Sequence, residues 1–205
     1  MQATDAVFYI AILIMSVVIH EVSHGFMAEY FGDKTARLAG RLTLNPLKHL
    51  DPFGSVILPA LLYFTSGFVV GWAKPVPYNP DNLSNKKWGT VAVASAGILA
   101  NIFIAVLFGL IIRFSAGMAV PAGFNFITSS IVAINLALAV FNLVPIPPLD
   151  GSKILFSLLP KSLESIMFLF ERYSLIFLVI FIFFFSSYLY PILAYLYQLI
   201  TGLLL

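Results

Sequence analysis

The residues His20-Glu21-Val22-Ser23-His24 place two imidazoles four positions apart with a carboxylate directly after the first. On an α-helix, positions i and i+4 share a face. Both rings can therefore reach one metal ion, and Glu21 can reach a water held beside it, the arrangement that metal-assisted peptide hydrolysis requires. With three His in 205 residues, a shuffled chain would contain this pattern only about once in a thousand times. A competing reading, interfacial polar residues at the wet end of a helix or a pH-sensitive His pair, is opposed by the setting. Ionisable groups within an apolar segment are expensive and are retained mainly for function.

A catalytic zinc takes three protein ligands and keeps a fourth position open. The chain has no Cys, which excludes thiolate ligands, cysteine nucleophiles and disulfides. The third ligand is thus His49, an Asp or a Glu. Asp150 stands out among them. It follows Asn142-Leu143-Val144-Pro145-Ile146-Pro147-Pro148-Leu149, where three prolines break a helix and can aim a carboxylate into a cavity.

The elements that must position these groups are membrane helices. Sixty per cent of the residues are hydrophobic and 10% charged, with mean hydropathy +1.00, whereas soluble domains carry about 25% charged residues. Twenty Phe and nine Tyr exclude a disordered chain. A net charge of +2 without a long basic run gives no footprint for nucleic acid. Bilayer-length apolar stretches lie at 6–30, 88–113, 124–144, 163–186 and 188–204, so about five spanning helices in an all-α polytopic membrane protein are expected. The first stretch lacks the basic start and cleavage site of a signal peptide and is read as retained. With no internal repeat or linker, residues 1–205 read as one membrane-embedded domain.

Seven of the eleven Lys and Arg fall between residues 31 and 87, and none in 114–123. This bias predicts that the basic regions, and the opening of the site, face the cytoplasm. It works only if the short apolar stretch 53–66 does not cross, so 53–73 is expected to re-enter or lie partly buried and to return to its own side. Residues 35–45 alternate loosely, and 68–79 carry Gly71, Pro75 and Pro77. A small β-hairpin or strand element near the membrane surface is therefore expected, whose edge could hold an extended peptide, against the plainer reading of an ordinary surface hairpin.

Taken with these motifs, the sequence resembles the site-2 proteases, intramembrane zinc metalloproteases, in a compact bacterial or archaeal type without an appended sensing domain such as PDZ or CBS. The likeness rests on His20-Glu21-Val22-Ser23-His24, on Asn142, Pro145, Asp150 and Gly151 as an N-x-x-P…D-G element, and on Gly97 and Asn101 as a G-x-x-x-N element. Residues 71–77 and 49–54 also match, so the resemblance runs from about residue 20 to 155. It implies one zinc held by His20, His24 and Asp150, with Glu21 as general base. Asn101 and Asn142 would orient substrate or hold the oxyanion, or else serve as hydrogen bonds between helices. His49 is placed in an interface loop. The expected substrate is a transmembrane or membrane-tethered polypeptide that unwinds locally, since a helix hides its carbonyls in its own hydrogen bonds. Two rivals are a metal-binding membrane transporter and a catalytically silent relative. The first needs no base beside a ligand and usually shows repeats; the second is opposed by the intact Glu21.

Overall fold

The structure, a computed structural model, describes residues 3–51, 57, 74–121 and 123–205. Eight α-helices appear among them. These are α1 (Ala3–Tyr30), α2 (Thr35–Leu38), α3 (Lys86–Phe114), α4 (Phe124–Leu143), α5 (Asp150–Leu158), α6 (Glu164–Arg172), α7 (Ser174–Phe184) and α8 (Leu189–Thr201).

α1, α3 and α4 are each long and apolar enough to cross a bilayer, and they pack on one another. Their outward faces carry exposed Phe8, Ile10, Phe103, Leu107 and Leu110. Such surface is stable only against lipid or another apolar partner. The three spans make this a multi-pass architecture. α3 begins where the Asn85 side chain accepts a hydrogen bond from Trp88 N, and α4 ends before Pro145, which forces Val144 out of helical geometry. α8 seals the far end against α3 and α4, with Ala105, Ile112, Val132, Leu136 and Tyr197 forming its core.

The expectation of about five spans is corrected by the last third of the chain. The stretch 163–186 is broken at Tyr173 into α6 and α7, bent by 73°. A straight helix would carry Glu171 and Arg172 toward the bilayer centre, a costly place for charge. α8 has 13 residues, about 20 Å at 1.5 Å per residue, against a hydrocarbon core of about 30 Å. The described residues thus contain three candidate spans, or four if the bent pair counts as one.

The expected β element is also overturned: no strand occurs among the described residues. Residues 35–38 form α2, whose carbonyls are satisfied locally. Gly40, at φ +64°, donates to Arg37 O and Arg41 N donates to Ala36 O, the closure of a glycine-terminated helix. Ala36 is fully buried against Gly25 of α1, so tertiary packing overrides the weak alternation. Residues 74–79 are extended but pair with side chains instead of a ladder. Arg41 donates to Lys74 O, Val76 N donates to Glu21 and Asn79 N donates to Asp33. Pro75 and Pro77 have no N–H to offer a neighbouring strand. The expected re-entrant stretch 53–73, with the first half of 68–79, lies outside the described residues except for Ile57.

Asp33 knots the loops at this end. Its buried carboxylate accepts from Thr35 N and Oγ1, Asn79 N and Asn82 Nδ2. Burial alone would raise its pKa, but these four bonds outweigh it and hold the group below the usual carboxylate range.

Candidate metal centre

His20 and His24 lie one turn apart on α1, and both are buried. Asp150 opens α5, where its charge favours the helix N-terminus. The chain reverses sharply between α4 and α5, and Gly151 permits it: a Cβ there would lie 2.2 Å from Leu143 O. The reversal brings Asp150 Oδ2 within 3.1 Å of both His20 Nε2 and His24 Nε2. The two Nε2 atoms are 3.0 Å apart. Ligand atoms about 2.0–2.1 Å from a tetrahedral zinc stand about 3.3 Å from one another, so the triangle is near the size such an ion demands.

Proton placement makes the same point chemically. His24 Nδ1 donates to Val93 O at 2.7 Å, because a carbonyl can only accept. Asn101 uses its amide nitrogen to donate to Asn135 Oδ1 at 2.7 Å, leaving its oxygen to accept from His20 Nδ1 at 2.6 Å. When both rings are neutral, each turns an Nε2 lone pair toward the Asp150 carboxylate. Three electron pairs converging in a buried site repel unless a cation sits among them. The donor set therefore fits a metal ion, and the outer hydrogen bonds fix ring tautomer and orientation as metal sites need.

The outer bonds extend inward through the bundle. Asn101 and Asn135 are fully buried, and Asn135 Nδ2 donates to Ser16 Oγ at 2.9 Å. Ser16, Asn135 and Asn101 thus tie α1, α4 and α3 together behind His20. Gly97, one turn before Asn101, lets the His20 ring lie on the α3 backbone, since a Cβ there would stand 2.6 Å from the ring. The G-x-x-x-N spacing is the seat of a histidine.

A cavity of about 200 Å³ opens beside the triangle, lined by Glu21, Asn142, Tyr78 and Lys153 among others. Glu21 Oε2 accepts from Val76 N at 2.9 Å, which pins one carboxylate oxygen. Burial pushes the Tyr78 phenol above its ordinary range. Burial would lower the Lys153 ammonium, but the Asp150 carboxylate prevails and raises it.

The structure brings together His20, His24, Asp150 and Glu21. Asn142 lines the cavity, its amide donating to Leu138 O at 3.0 Å. Asn101 does not line it and holds His20 from behind. His49 is remote from the cavity: its Nε2 donates to Thr43 O at 2.8 Å and its carbonyl accepts from Lys74 N, bracing two loops. Asn135, Val76, Tyr78 and Lys153 escape a reading of motifs. An amide within an otherwise apolar helix was the available signal for Asn135, and an i, i+3 relation to Asp150 the signal for Lys153.

Comparison with known proteins places the chain in a family. The sequence profile of Peptidase family M50 matches residues 8–132 and 109–186. Two similar proteins are named "Putative zinc metalloprotease": YwhC of Bacillus subtilis, 39% identical over 83% of this chain and 78% of its own length, and Rip2 of Mycolicibacterium smegmatis, 35% identical over 67% of this chain and 52% of its own length. Rip2 of Mycobacterium tuberculosis is 29% identical over 85% of this chain and 66% of its own. The chain thus spans about half to two thirds of the Rip2 proteins. No solved structure matches it. Profile coverage of most of the chain and a buried His, His, Asp triangle lead to one conclusion: this chain belongs to Peptidase family M50 and is a membrane metalloprotease.

Proposed function

We propose that this protein is an intramembrane zinc peptidase that cuts peptide bonds within or beside transmembrane segments, and that His20, His24 and Asp150 hold its single zinc. The convergence of three buried electron-pair donors, each ring locked by a carbonyl behind it, carries this reading. When bound, zinc supplies a water acidified toward pKa about 7 and polarises a carbonyl.

Glu21 is the general base. Its Oε2 is fixed by Val76 N–H, which orients Oε1 toward the cavity, where it takes a proton from water and returns it to the leaving amine. Asn142 lines the cavity where a substrate carbonyl would lie, with an oxygen to orient an incoming backbone N–H. The substrate enters extended, because a closed helix offers no free carbonyl, and the partly apolar walls suit a membrane-derived chain. Lys34, Lys48 and Lys74 lie in the connections at the site end of α1 and α3, and Lys86 and Lys87 in the first turn of α3, which supports a cytoplasmic opening. The described helices serve one site, which favours a single functional unit.

The test is cleavage of a membrane-tethered or unfolded polypeptide by purified protein in detergent. Wild type should cut, and chelated protein and Glu21→Gln should not, while Glu21→Gln keeps stoichiometric zinc. Absence of zinc from active wild-type protein would refute the ligand assignment.

A further inference from the structure

Asp150 and Lys153 share the first turn of α5, where residues three apart face each other. Lys153 Nζ donates to Asp150 Oδ1 at 2.9 Å. The other oxygen, Oδ2, is the one 3.1 Å from both histidines. The two oxygens of one carboxylate are thus divided between partners. The Asp150 side chain is 6% exposed and that of Lys153 41%, so the acceptor end of this pair is withdrawn from bulk water, unlike in a surface pair. Lys153 has three donors and no acceptor when charged, so it cannot itself ligate a metal.

We propose that Lys153 is a positioning residue for the metal centre: by occupying Oδ1 it makes Asp150 a one-oxygen ligand and keeps a coordination position open for water and substrate. The proposal rests on the reading of His20, His24 and Asp150 as the ligands. Carboxylates bind metals through one oxygen or both. An Asp150 that turned both inward would fill the position a catalytic zinc must keep open. Nothing on α1 could prevent that turn, since both histidines approach Oδ2. Among the described residues, the restraint on Oδ1 comes from Lys153.

Cobalt is the probe, because its visible bands are intense in four-coordinate sites and weaker at higher coordination. Full-length wild type in detergent should bind one Co2+ per chain with intense bands. Lys153→Met should bind Co2+ with a loss of band intensity, and Lys153→Arg, which restores charge and donors, should recover it. A Lys153→Met spectrum identical to wild type overturns the proposal. Failure of wild type to bind Co2+ at all would instead remove the ligand set on which it rests. X-ray absorption of zinc-loaded wild type needs no variant: a second carboxylate oxygen at about 2.0–2.2 Å overturns the proposal even if Lys153→Met does not fold.

Discussion

Replacing Gly97 by Ala tests whether α3 is the seat of the metal centre. The added methyl would stand 2.6 Å from His20 Cε1 and 2.7 Å from each ring nitrogen, where unstrained contacts run at about 3.5–4.0 Å. The ring must retreat by nearly 1 Å. It cannot do so freely, because Nδ1 is held by Asn101 at 2.6 Å and Nε2 belongs to the 3.0–3.1 Å triangle. Overpacking of this kind costs about 1–3 kcal/mol. Spent on the ligand geometry, that is roughly a 5- to 150-fold loss of zinc affinity, and a misplacement of about 1 Å can cost about 100-fold in rate. Gly109→Ala is the matched control on the same helix, since its methyl would strike Ile200 Cγ2 at 2.3 Å, far from the site. Zinc affinity by competition with a chromophoric chelator, melting temperature and cleavage rate would be measured for both. Gly109→Ala should melt earlier and bind zinc normally, whereas Gly97→Ala should lose affinity and rate. If Gly97→Ala binds zinc as tightly as wild type and cuts as fast, the seat argument is wrong.

Asn101→Ala should weaken zinc binding roughly 10- to 100-fold, as loss of a ligand's hydrogen-bond partner does, and Asn135→Ala should act in the same direction but less, through Asn101. Unchanged affinity with lost cleavage would assign Asn101 to substrate instead. Asp33→Asn should lower the melting temperature near neutral pH by disturbing the loop knot. The folded pKa of Asp33 is depressed, so between its folded value and about 3.9 the unfolded chain binds more protons, and the stabilisation is lost as pH falls. The gap between wild type and Asp33→Asn should therefore be full above about pH 4 and narrow below it; a gap that widens in acid contradicts the assignment. Lys86→Cys in this cysteine-free chain should react with an impermeant thiol reagent only from the cytoplasmic side, and labelling from outside would reverse the orientation.

The sequence by itself determined the metalloprotease class and the membrane medium. His20, Glu21 and His24 are fixed relative to one another by one helical turn, a local geometry that spacing reports directly. Hydropathy marked α1, α3 and α4 because lipid selects composition residue by residue, and the prolines after Leu143 marked the break that delivers Asp150. The same local signals failed where packing or distant charge prevailed. Alternation at 35–45 did not outweigh the burial of Ala36, and apolar length at 163–186 did not survive Glu171 and Arg172. Tertiary structure alone decided which oxygen of Asp150 meets His20, 130 positions away, that Asn101 stands behind His20 outside the cavity, and that Val76 and Lys153 donate to the Glu21 and Asp150 carboxylates. No periodicity encodes these contacts. They depend on how closely three helices approach, and that distance is set by Gly97 and Gly151, whose missing side chains act only once the partner helix is in place.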